Sequence, residues 1–208
     1  MDIRNIVICG VGGQGVILAA RVLASAFLEA GMDVKQSEVH GMAQRGGSVQ
    51  SHVRGGKQVH SPVVPMGKAD AVIGFEMLEA LRGSTYLRPG GLLISSTERI
   101  VPAVPVPGVP GYPERIEDEV LTAAERVVLL DAVGVALETG ERRAANMVLV
   151  GALSGFMDFE KTTWERALRS SIREKDLEVN LHAFRQGKSA ASQTPPSGAW
   201  HEREKEKD

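Results

Sequence analysis

Cysteine is almost absent from this 208-residue chain, with Cys9 the single example. One thiol excludes an internal disulfide framework. It also excludes an iron–sulfur cluster held by this chain alone, because a cubane needs about four thiolates. In the run Asn5-Ile-Val-Ile-Cys9 the thiol reads as buried and structural, since a reactive cysteine needs an exposed, electropositive setting. Net charge is also nearly absent: 24 basic residues face 26 acidic ones, a formal −2. That balance gives no bulk attraction to nucleic acid or an anionic membrane. Long apolar runs are missing too. Stretches such as Met147 to Leu153 fall well short of the ~20 residues a membrane helix needs. No basic and apolar leader precedes the first strand-like run, so a cytoplasmic protein is expected.

What is present is enough apolar residue, 43% of the chain, for one sizeable core. Ile6 to Cys9 predicts a short buried strand stopped by glycine. Val16 to Ala30 predicts a helix with an apolar stripe, ended by Gly31. Asp33 to Val39 predicts a second strand, parallel to the first across the connecting helix. Ser48 to Arg54 alternates as a strand, with Val49, Ser51 and Val53 on one side. Gln58 to Val64 is a candidate to pair with it across Gly55-Gly56. Further strands are expected at Ala69 to Phe75, Leu92 to Ser95 and Val127 to Leu130, with Pro89-Gly90-Gly91 as a turn. The proline-rich segment from Val101 to Pro113 suits neither helix nor central strand. Helices are expected at Glu76 to Arg82, Glu114 to Glu125, Asp131 to Thr139, Ala144 to Phe156, Lys161 to Ile172 and Lys175 to Gln186.

Strands alternating with helices predict an α/β fold: a Rossmann-like, doubly wound, mostly parallel sheet with helices on both faces. A single domain over residues 1–187 is expected, ending in a helical part, with 188–208 a disordered tail by composition.

Gly10-Val-Gly12-Gly13-Gln14-Gly15 carries G-x-G-x-x-G between a strand and a helix. Gly10 permits the tight turn, Gly12 lets a ligand approach the backbone, and Gly15 allows close helix packing. Exposed amides at the helix start form an anion site. Glu38, near the end of the second strand, stands where a dinucleotide site wants its ribose-binding acid. The same residues also fit a tight βα turn that binds no nucleotide, and both readings stay open.

The next loop is too polar and glycine-rich for a mere connection: Glu38-Val-His40-Gly41-Met-Ala-Gln44-Arg45-Gly46-Gly47-Ser48-Val-Gln-Ser51-His-Val-Arg54. This run, behind the glycine turn, resembles the gamma domain of pyruvate and 2-ketoacid:ferredoxin oxidoreductases. It is most similar to the small (beta) subunit of the indolepyruvate type. The resemblance spans about Ile3 to Gln186 and includes Phe75-Glu76-x-x-Glu79-Ala-Leu81 and Asn146-Met-Val-Leu-Val-Gly151. It implies a subunit that is not catalytic alone and packs against a large alpha subunit. That partner would carry thiamine diphosphate, Mg²⁺ and [4Fe-4S] clusters, with coenzyme A as cosubstrate and ferredoxin as acceptor. The sequence agrees independently, since it has one cysteine and no Gly-Asp-Gly start of a thiamine diphosphate motif.

Site candidates follow. Gln44 and Arg45 are placed to orient a carboxylate or a coenzyme A phosphate, Arg45 through its planar fork of donors, or to form an interface ion pair. The amides of Gly12 to Gly15 are candidates for another anionic group. His40, with Gly41, Gly46, Gly47 and Ser48, belongs to the same ligand or interface loop. His40 is read as a loop anchor before a proton shuttle. His40, His52 and His60 lack zinc-ligand spacing. Glu76 is expected either to contact a ligand or to cap the helix after it. No catalytic residue and no metal ligand is assigned. The alternatives are the gamma subunit of a pyruvate, 2-ketoisovalerate or 2-oxoglutarate enzyme, a stand-alone nucleotide- or flavin-binding oxidoreductase, or a regulatory binding module.

Overall fold

The computed structural model describes residues 4–40, 46–101 and 112–194, without the His40 side chain. Among the described residues six strands form one sheet: β1 (Arg4–Val11), β2 (Asp33–His40), β3 (Ser48–Gly56), β4 (Ala69–Gly74), β5 (Leu87–Ser96) and β6 (Arg126–Leu130). The helices are α1 (Val16–Glu29), α2 (Met77–Gly83), α3 (Ile116–Thr122), α4 (Ala132–Glu138), α5 (Ala145–Ser154), α6 (Lys161–Ser171) and α7 (Glu174–Gln193).

The strand order is β2-β3-β1-β4-β5-β6. β1, β4, β5 and β6 run parallel, whereas β3 is antiparallel to both β1 and β2. β1 and β2 thus share a direction, as expected, but β3 lies between them. The sequence order alone suggested neighbours, and the returning strand took that place.

Both faces of β1 are buried, which is why it reads as an unbroken apolar run rather than an alternation. Ile6 and Ile8 pack toward α1, α5, α6 and α7, while Val7 and Cys9 pack toward α2 and α3. Val49, Ser51 and Val53 on the expected side of β3 are buried, and His52 on the opposite side is buried as well. Gly31, at φ 75, ends α1 by donating its N–H to the Leu28 carbonyl (2.9 Å).

Three expectations need correction. The proposed hairpin across Gly55-Gly56 does not form. Both glycines are ladder residues, Gly55 opposite Arg4 and Val34, and Gly56 opposite Asp33. A Cβ on Gly55 would lie 2.2 Å from the Phe27 ring, so this glycine serves packing and not a turn. Pro89-Gly90-Gly91 lies inside β5 as an irregularity: Ala69 pairs with Leu87, yet Ala71 pairs with Leu92. Finally, Lys188 to Gln193 is helix, with Ala191 at 4% exposure, so order passes the expected boundary at 187. Residues 195–208 and most of the proline-rich segment, 102–111, lie outside the described residues.

Candidate functional site: the glycine turn and its cleft

The glycine turn leaves β1 at the carboxyl end of the four parallel strands, where α/β sheets bind ligands. Gly15 precedes α1 at φ 84, a left-handed conformation that suits glycine, and no side chain caps the helix there. The first amides of this 14-residue helix have no intrahelical acceptor and carry its positive dipole end.

Gln14 is held from three sides. Its Oε1 accepts from the Val11 amide (2.7 Å), while Nε2 donates to the Phe75 carbonyl (3.0 Å) and to Glu98 (2.9 Å). Glu98 also accepts from Arg142 (2.5 Å). One side chain therefore ties the end of β1 to the residue after β4 and to the segment after β5. Gln14 is framework, and its amide is not available to a ligand.

A cleft of about 620 Å³ opens beside the turn, between α1 and the α4–α5–α7 layer. Five basic side chains line it (Arg21, Arg142, Arg143, Arg173 and Lys175) against the acids Glu98, Glu141 and Asp176. Asn146 lines it at 4% exposure, and its buried Oδ1 has no hydrogen-bond partner among the described residues. A buried polar atom of this kind costs about 1–3 kcal/mol unless something fills the gap. Excess positive charge, a helix amino end and an unsatisfied acceptor together suit an anionic ligand that also carries a hydrogen-bond donor. Reading the sequence missed Glu98, Arg142 and Asn146 as a group. The signal for Asn146 was its polarity within an apolar helix; the other two carried none.

Two features of the dinucleotide reading are not realised. Gly12 does not offer its backbone to a ligand: its N–H donates to the Gly47 carbonyl (2.8 Å), and its carbonyl accepts from Gly46 (3.4 Å). Gly46 and Gly47, just before β3, thus occupy both backbone groups of Gly12. Glu38 is exposed on the outermost strand, opposite Ser51, with β3 between it and β1. Two strand spacings, roughly 10 Å, remove it from a ribose anchored at the turn.

Glu76 caps α2, accepting the Glu79 amide (2.9 Å), and it also accepts from the Ile100 amide (3.2 Å) and the Tyr112 hydroxyl. Burial and this carboxylate push the Tyr112 phenol up. At 1% exposure Glu76 is a structural anchor between α2 and the segments on either side of the proline-rich stretch. Ser48, the first residue of β3, donates to Glu79 (2.5 Å). His52 is buried; its Nδ1 accepts the Val64 amide (3.0 Å) and its Nε2 meets Gln50 (3.2 Å). Burial lowers its pKa. His60 is exposed. Gly41, Gln44 and Arg45 lie outside the described residues, as does the His40 side chain.

Cys9 is 2% exposed, and desolvation pushes its thiol up to about 12, the opposite of what a thiolate ligand needs. Among the described residues no three His, Cys, Asp or Glu side chains gather to hold an ion, and no helix is long and apolar enough to cross a membrane.

Residues 5–190 match the family model described as pyruvate ferredoxin/flavodoxin oxidoreductase. The chain is 42% identical over 195 residues to the indolepyruvate oxidoreductase subunit IorB of Thermococcus kodakarensis, covering 91% of this chain and 96% of that protein. It is 30% identical to the 2-oxoglutarate synthase subunit KorC of Archaeoglobus fulgidus, covering 88% and 85%. Among solved structures, the keto/oxoacid ferredoxin oxidoreductase gamma subunit of Geobacter sulfurreducens superposes with a TM-score of 0.69 at 25% identity, covering 92% of this chain and 99% of that one. A mixed six-stranded sheet wound with these helices, a closed glycine turn and matches of this length place the chain in the pyruvate ferredoxin/flavodoxin oxidoreductase family.

Proposed function

We propose that this chain is the small subunit of an indolepyruvate:ferredoxin oxidoreductase and that its cleft receives the anionic part of coenzyme A. The observation that carries the enzyme assignment is the 42% identity to an indolepyruvate oxidoreductase subunit along nearly its whole length, against 30% to a 2-oxoglutarate one. The complex would work in the cytoplasm, converting an aryl 2-oxoacid and coenzyme A to an acyl-coenzyme A and carbon dioxide while reducing ferredoxin.

The redox chemistry belongs to a large partner subunit, because Cys9 is a buried neutral thiol. There, thiamine diphosphate with Mg²⁺ would supply the decarboxylation chemistry and [4Fe-4S] clusters would carry the electrons. This chain binds and orients. The α1 amides after Gly15 face a phosphate. The basic residues Arg21, Arg173 and Lys175 balance its charge, and Asn146 Oδ1 accepts a proton donor of the same ligand. Gln44 and Arg45 directly precede in sequence Gly46, whose N–H donates to the Gly12 carbonyl, and they are the further candidates to meet the ligand.

Co-expression with the large subunit tests the assignment. Aryl-pyruvate-dependent reduction of a viologen dye should need both chains, and Asn146→Leu should raise KM for coenzyme A about tenfold. Full activity of the large subunit without this chain would sink the assignment.

A further inference from the structure

Glu79 is a buried carboxylate that its own helix does not need. It stands at the third position of α2, where the side chain of a capping box would reach back to the N-cap amide. Here the N-cap residue, Glu76, supplies the cap by itself, accepting the Glu79 amide. The Glu79 carboxylate turns away from that role. One oxygen takes the Ser48 hydroxyl and the other takes Arg82, each at 2.5 Å, while Glu79 stays 4% exposed. Burying a carboxylate is costly, and one paired with a half-exposed arginine contributes little to stability. What the pair fixes is position. Ser48 stands opposite Val11 in the β1–β3 register, immediately after Gly47, whose carbonyl holds the Gly12 amide.

We propose that Glu79 is a positioning residue of the ligand cleft, which sets the glycine turn through Ser48, Gly47 and Gly12. α2 packs on β1 and β4 and is a rigid reference, whereas Gly12 and Gly13 have no side chains to hold them. The carboxylate anchors the start of β3 to that reference. The Gly47–Gly12 bond then transmits the placement to the amides at the head of α1. The inference rests on the coenzyme A reading of the cleft.

The test uses the two-subunit complex and four variants: Ser48→Ala, Glu79→Ala, Glu79→Gln and the Ser48→Ala/Glu79→Ala pair. Each alanine variant should raise KM for coenzyme A about tenfold, more than it lowers kcat. The pair should be no worse than Glu79→Ala, because both remove one connection. Glu79→Gln keeps an acceptor for Ser48 and should recover most of the loss. Should Glu79→Ala fail to fold, Ser48→Ala, which removes a single oxygen, carries the test. An unchanged KM in Ser48→Ala and Glu79→Ala, with a raised one in Asn146→Leu, overturns the positioning role and leaves the functional reading intact. An unchanged KM in all three removes the coenzyme A site and this inference with it.

Discussion

Gly151 of α5 and Gly187 of α7 bring two helix backbones into contact. A Cβ on Gly151 would sit 2.0 Å from the Phe184 carbonyl oxygen, and one on Gly187 would sit 1.9 Å from that of Val148. Backbone carbonyls cannot swing aside as a side chain can, so the two helices are locked at a separation only glycine allows. α5 also supplies Asn146 to the cleft lining, so this contact bears on the site as well as on the core.

Helix propensity and packing predict opposite signs at these positions. On an exposed helix, glycine to alanine stabilises by about 1 kcal/mol. Here Gly187→Ala should destabilise by about 2 kcal/mol or more, because the helices must part. For a chain of this size that is a fall in Tm of several degrees. A rise in Tm would show that the contact does not form.

Gly15 and Gly13 give a graded test of the turn. Both have positive φ, 84 and 108, but a Cβ at Gly15 would lie 2.3 Å from Asn146 Nδ2, while one at Gly13 meets nothing within 4 Å. Gly13→Ala should cost about 1 kcal/mol of backbone strain alone. Gly15→Ala should cost more, because it must also displace Asn146. Chemical denaturation of the two variants ranks them, and the reverse order would contradict the packing described.

Gln14→Glu keeps the shape of the side chain and removes its donor. The new carboxylate would face the Phe75 carbonyl and Glu98, both acceptors. A loss of about 2–4 kcal/mol near pH 7 is expected, larger than for Gln14→Ala, which leaves unmet partners without repulsion. The denaturation midpoint of each variant measures the difference. Equal losses would mean that Gln14 does not bridge these strands.

His52 makes stability depend on pH. Burial lowers its pKa below the ordinary 6.5, so the folded state holds the neutral ring, which accepts the Val64 amide. A histidine depressed on folding contributes stability that is present above its unfolded value and is lost as pH falls toward the folded one. The wild type should therefore weaken as pH drops below about 6.5. His52→Asn offers a non-titrating acceptor and should flatten that part of the curve. Parallel curves for the two proteins would assign the acid sensitivity elsewhere.

Much of the fold was legible because both periodicities were clean. Ile6 to Cys9 is a run buried on both faces, Val49, Ser51 and Val53 of β3 are buried on one side as their alternation predicts, and the stripe of α1 ends at Gly31 where the backbone turns left-handed. The site was less legible. Gly12, Gly15 and Gln14 stood out as a motif, but their roles could not be read, because Gly46, Gly47, Phe75, Glu98 and Asn146 come from distant parts of the chain. Glu38 illustrates the failure: its spacing from the glycine turn fits a dinucleotide site, yet a strand arriving later in sequence separates the two.

By itself the sequence determined the α/β alternation, the glycine turn before a helix, and the lack of sulfur ligands. Each follows from local periodicity, from backbone conformations that favour glycine, or from a count. Only the tertiary structure decided the rest. It placed β3 between β1 and β2, closed Gly12 against Gly47, and carried α7 past Gly187 to Gln193. These depend on contacts between residues far apart in sequence. Neither the position of a returning strand nor the distance between two helices is encoded in any one segment.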